Sequence, residues 1–149
     1  MFTPASLARL KDNPKKDWEG FGLGVTKKHG KFQPLPYVGD ELANIIRSGD
    51  SSSGVMNGTI CLDRAFTFDS LRNGIGAYGY PLVHIASHFE LNPCNDTMSF
   101  LLLGDGNHLT LDKIKVQDAF FGGVELLTLS ACNTAVGNER QDGRECHRR

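Results

Sequence analysis

Two continuous apolar, β-prone runs, LVHIAS at 82–87 and LLTLSA at 126–131, constrain this chain most. Neither alternates polar with apolar residues, so each needs cover on both faces, the condition of a strand inside a parallel sheet clad by helices. The helices are supplied nearby. In GDELANIIRSGD (39–50) Asp40 can cap a helix, Leu42, Ile45 and Ile46 share one face, and Gly49 suits the stop. In TFDSLRNGIGAYG (67–79) Thr67 is the expected N-cap and Phe68, Leu71 and Ile75 form the apolar stripe. Thr110 is placed to cap a third helical stretch, LDKIKVQDAFFG.

Shorter strands complete the pattern. FGLGVT (21–26) is expected as a first strand that its two glycines weaken, and TICL (59–62) as a brief one. SFLLLGDGNHLTL has two apolar arms around an Asp-Gly turn signal and predicts a hairpin. Strands alternating with helices give an α/β fold whose sheet is parallel at its centre.

At 149 residues the chain is about one domain. Its 16 Lys and Arg nearly balance 17 Asp and Glu, a formal net charge of -1, so no broad field exists to attract nucleic acid or an anionic membrane surface. No apolar run approaches the ~20 residues of a membrane span, and the N-terminus lacks the apolar core of a signal peptide. A cytoplasmic chain is expected, with Cys61, Cys94, Cys132 and Cys146 as reduced thiols. They form no CxxC pair, and His84 and His88 sit in a strand-like run, so neither a metal nor any other cofactor is expected. Residues 1–18 are polar and read as a linker or disordered arm.

The two apolar runs end alike: the first delivers His88, the second Cys132. Parallel neighbours stand ~4.8 Å apart, so the residues that follow them emerge together at the carboxyl edge, where α/β folds place their ligands. An imidazole beside a thiol stabilises the thiolate and can later donate a proton to a leaving group. The two are 44 positions apart with the histidine first, near the ~50 of caspase-type order. A cysteine in an apolar run is otherwise an inert core residue. His84, inside its strand, is expected as a hydrogen-bonded core histidine, and Asp96, Asp105 and Asp112 as capping or solvating acids.

VHIASHF, SFLLLGDG, LTL and LSACNTAVG, in this order, together with LPYVGDEL ahead of the first helix, resemble the CHAT domain, a bacterial branch of the caspase, gingipain and separase clan of cysteine peptidases. The resemblance spans about residues 21–145 and implies a caspase-like three-layer sandwich around a mainly parallel sheet. It makes His88 the catalytic base and Cys132 the nucleophile of peptide hydrolysis. The backbone amides of Phe89 and Cys132 would receive the oxyanion, with Asn133 and Thr134 lining the substrate. Phe89 stands where the clan commonly has glycine. Such domains usually follow tetratricopeptide repeats, so a repeat region or partner upstream is expected beside a protein or peptide substrate. Family members continue beyond the GRE at 143–145, whereas this chain turns to CHRR, which reads as an aberrant tail at 146–149 on a C-terminally truncated domain spanning 19–145. The expected function is that of a caspase-like cysteine peptidase with little activity alone; the alternative is a non-catalytic remnant or interaction module that keeps the fold.

Overall fold

The computed structural model describes residues 18–50, 53–116 and 120–133, the last two of them by their backbone. The expected tail and Thr134 lie outside these residues, as does all but the final residue of the expected arm. The elements run β1 (Gly20–Gly24), α1 (Val38–Ile45), β2 (Ile46–Arg47), β3 (Met56–Leu62), a 3-10 turn (Asp63–Ala65), α2 (Phe68–Ile75), β4 (Leu82–Glu90), β5 (Phe100–Leu102), β6 (His108–Thr110), α3 (Leu111–Val116) and β7 (Leu126–Asn133). They form one seven-stranded sheet in the order β2-β3-β1-β4-β5-β6, with β7 paired to β4 off that path. The β2–β3, β3–β1, β1–β4 and β4–β7 pairs are parallel, while the expected β5–β6 hairpin and its junction with β4 are antiparallel.

β4 is the hub. β7 follows it from Leu82 to Phe89, so β1, which pairs with residues from Leu82 to Ala86, occupies the other flank. β5 meets Phe89 and Glu90 on that same flank, past the end of β1.

The pleat sends alternate residues to opposite faces. Phe21, Leu23, Val83 and Ile85 join Leu71 and Ile75 of α2 and the leucines of the hairpin in the larger core. On the other face Ala86 meets Val38 and Leu42 of α1. Helices on both sides of a mainly parallel sheet make the expected three layers. α2 begins as its sequence indicates: the Thr67 side chain accepts from the Ser70 amide, and the Ser70 hydroxyl accepts from the Thr67 amide, a reciprocal cap.

Three local expectations need correction. Tyr37, not Asp40, holds the N-cap position of α1 and makes no side-chain cap bond; Asp40 lies in the first turn, where its charge suits the helix dipole. Ile46 belongs to no helical stripe, since its backbone is extended and it opens β2, fully buried. The glycines of β1 do not weaken it. A Cβ on Gly24 would fall 2.4 Å from Val38 Cγ1, and one on Gly22 2.9 Å from Ile46 Cδ1, so side-chain-free positions let α1 lie down on the sheet.

Candidate active site

The β4–β7 register sets His88 opposite Cys132 and Phe89 opposite Asn133. The two residues nominated from sequence are therefore partners on adjacent parallel strands. The start of β7 is held by the Pro81 carbonyl, which accepts from the amides of Glu125 at 2.8 Å and Leu126 at 3.0 Å.

His88 is buried, with 3% of its surface exposed. Its Nε2 lies 2.8 Å from the backbone oxygen of Gln33. A carbonyl only accepts, so Nε2 carries the hydrogen and Nδ1 of the neutral ring is left with its lone pair. That Nδ1 is buried without a hydrogen-bond partner among the described residues. The imidazole is thus held by one nitrogen, and the other makes no hydrogen bond among the described residues. The Phe32 ring packs against it at 5.1 Å between centroids, tilted by 39°.

The loop that brings Gln33 and Phe32 over His88 is itself fastened. Asp63 Oδ1 accepts from the Thr26 amide at 2.8 Å, and Oδ2 from the Thr26 hydroxyl at 2.6 Å. Burial alone would raise the Asp63 carboxyl, but these bonds, the Lys27 amide and the Lys27 charge outweigh it and hold the group below the ordinary aspartate range. Lys31 closes the far side through a 2.6 Å ion pair with Glu90.

Phe89 does not open a loop after the histidine. β4 runs on to Glu90, and Phe89 pairs with Leu101 on one side and Asn133 on the other. Its N–H lies in the plane of the sheet, where a ladder bond competes with an incoming oxyanion.

His84 is the hydrogen-bonded core histidine that its strand position indicates. Its Nε2 sits 2.8 Å from Glu41 Oε1 and its Nδ1 2.5 Å from Thr128 Oγ1. The scattered acids act as expected: Asp96 pairs with Lys115 at 2.6 Å, Asp105 accepts from the Asn107 amide at 3.0 Å, and Asp112 is lowered chiefly by a bond from Thr110.

Cys61 is a free thiol pushed up by burial. Cys94 is disulfide-bonded, contrary to the expectation of reduced thiols throughout. A cleft of about 580 Å³ between α2, the hairpin and α3 is lined by Phe68, Leu103, His108 and Val116 among others, and among the described residues that line it neither His88 nor Phe89 appears. Among the described residues no three His, Cys, Asp or Glu side chains converge as metal ligands, and no helix is long and apolar enough to cross a membrane.

Sequence reasoning missed Gln33 and Glu41. Gln33 acts through its carbonyl and left no side-chain signal. Glu41 did leave one, a charge between Val38 and Leu42 on the face of α1 that meets the sheet, opposite a histidine in an otherwise apolar strand.

A seven-stranded mixed sheet with helices on both faces, its hub strand bearing a histidine in register with a cysteine, has α/β character consistent with a caspase-like fold. The family model of the CHAT domain matches residues 2–147. The chain belongs to the CHAT domain family, and so to a caspase-like peptidase group. No curated protein and no solved structure matches it.

Proposed function

We propose that the chain acts as a cysteine peptidase domain in which His88 and Cys132 form the dyad. The observation that carries this reading is the pairing of residue 132 with a histidine whose Nε2 is held by Gln33 and whose Nδ1 has no partner among the described residues. In the reaction, Nδ1 takes the thiol proton of Cys132, and the sulfur attacks the scissile carbonyl carbon to form a tetrahedral oxyanion. The C–N bond then breaks, the proton passes from His88 to the leaving amine, and water hydrolyses the thioester to regenerate the thiol. The amides of Phe89 and Cys132 are the proposed oxyanion donors, and Asn133 and Thr134 the proposed substrate-lining residues. A protein or peptide substrate is implied, and a tetratricopeptide-repeat region or partner upstream belongs to the same proposal.

The burial of His88 favours a second reading, a non-catalytic module that keeps the fold for interaction. Alkylation with iodoacetamide across pH separates the two, with Cys61 as internal reference, because burial keeps that thiol neutral near pH 7. A working dyad labels Cys132 about tenfold or more faster than Cys61, and His88→Ala abolishes the advantage. Equal labelling of both thiols, indifferent to His88→Ala, would falsify the dyad and leave the interaction module. Cleavage of a mixed peptide library, lost on Cys132→Ala, is the companion measurement.

A further inference from the structure

We infer that Glu41, His84 and Thr128 form a positioning chain that sets the register of β7 on β4, and thereby the placement of Cys132 against His88; its meaning for catalysis rests on the proposed dyad. The chain crosses three elements. Glu41 on α1 is 2.8 Å from His84 Nε2, and Thr128 on β7 is 2.5 Å from His84 Nδ1, with the imidazole on β4 between them. The bonds have a direction. The carboxylate accepts, so Nε2 carries the hydrogen, and Nδ1 of the neutral ring accepts the Thr128 hydroxyl proton. Each polar atom of a buried imidazole is thereby satisfied by a neighbour on a different element.

The register needs such a device because burial specifies it weakly. Hydrophobic burial fixes strand register where one face is sealed. On β7, Leu127 is 43% and Leu129 50% exposed, although both leucines register against buried Val83 and Ile85. A slip of one residue either way sets a leucine opposite His84 and strands its Nδ1 in the interior. A slip of two sets either Leu126 there, with the same consequence, or Ser130. Ser130 keeps a hydroxyl there, but that slip carries Cys132 from His88 to a place opposite Ala86. Of these five registers, only the observed one and the Ser130 slip give the buried imidazole a hydroxyl, and only the observed one does so with Cys132 opposite His88.

The step from His84 to His88 equals the step from Thr128 to Cys132, four residues along paired strands. An even step keeps a position on the same face, about 13 Å further along. Whatever fixes Thr128 opposite His84 therefore fixes residue 132 opposite His88. Glu41 completes the device by holding the ring so that Nδ1, and not Nε2, faces β7.

The test compares the full chain with Thr128→Val, which keeps the shape and removes the hydroxyl, and Thr128→Ser, which restores it. Two readouts are taken: hydrogen exchange of the β7 amides at 126–131, and alkylation of Cys132 relative to Cys61. We expect Thr128→Val to lose β7 protection, together with that of the β4 amides that donate to β7, while β1 keeps its own, and to cut the Cys132 labelling advantage about tenfold, since small misplacement is costly in a reacting pair. Thr128→Ser should recover both. Glu41→Ala, at a half-exposed helical position that tolerates alanine, should move both in the same direction by less, and serves if Thr128→Val does not fold. Unchanged β7 protection in both Thr128→Val and Glu41→Ala overturns the positioning chain, even if the wild-type thiol proves His88-dependent. Lost protection alongside a wild-type thiol indifferent to His88→Ala supports the chain and removes the dyad, so the two claims fail separately.

Discussion

β4 has two parallel neighbours, and they are held by different physics. On one flank β1 is buried along its whole length, with Phe21 and Leu23 in the larger core and its glycines receiving α1. On the other flank β7 pairs with β4 alone among the described residues, and Leu127 and Leu129 stay about half exposed. Burial fixes the first flank. On the second, the directional bond between His84 and Thr128 selects the register. The proposed chemistry sits between a buried histidine strand and a half-exposed strand whose ladder holds it in place while a polar side-chain bond selects its register. Apolar truncation should cost most on the scaffold side, and loss of the Thr128 hydroxyl should cost most at the edge.

The largest expected effect tests the buried flank. Leu42 is fully buried, and its methyls lie 3.1 and 2.9 Å from where Cβ atoms on Gly22 and Gly24 would fall, so it fills the space between α1 and β1. Leu42→Ala removes that filling where glycines cannot collapse inward, and should cost about 2–5 kcal/mol in denaturant unfolding. A loss under ~1 kcal/mol would mean that α1 is not what seals this face.

Next in size is a pH effect on the loop that carries Gln33. Asp63 is held below its ordinary range, so it contributes stability that is present above the unfolded carboxylate pKa of ~3.9 and is lost as pH falls through the lower folded value. Asp63→Asn should cost on the order of 1 kcal/mol at neutral pH, since it loses charge-assisted bonds at a partly exposed site. It should also flatten the acid limb of the stability profile below about pH 4. Wild type and variant falling in parallel with acid would show that Asp63 does not fasten Thr26.

Much of this arrangement is legible in the residues. Unbroken apolar runs mark β4 and β7 as neighbours in a parallel sheet, and Thr67 marks the start of α2, because burial and capping act through local residue type. The terminus of α1 is not legible this way. Ile46 fits a helical stripe as well as it fits a strand, and the choice is made by its pairing with Met56, ten positions on. Within the candidate site, His88 and Cys132 announce themselves by chemistry, while Gln33 acts by a carbonyl that every residue has. The bond from Glu41 to His84 spans 43 positions and emerges only once α1 lies on the sheet.

The smallest expected effect tests the edge itself. Leu127→Ala removes a side chain already 43% exposed, so little of the ~1.5–3 kcal/mol of a fully buried leucine is at stake, and a loss of about 1 kcal/mol or less is expected. Leu129→Ala, at 50% exposure, should behave alike. Neither leucine faces His84, whose partner on β7 is Thr128, so both variants should keep the β7 exchange protection and the Cys132 labelling that Thr128→Val loses. Apolar and polar truncations on one strand would then separate: the first trims stability slightly and leaves the register alone, the second leaves burial alone and moves the register. If Leu127→Ala instead costs as much as Leu42→Ala, the edge is sealed by contacts beyond the described residues, and burial, not the polar chain, governs both flanks of β4.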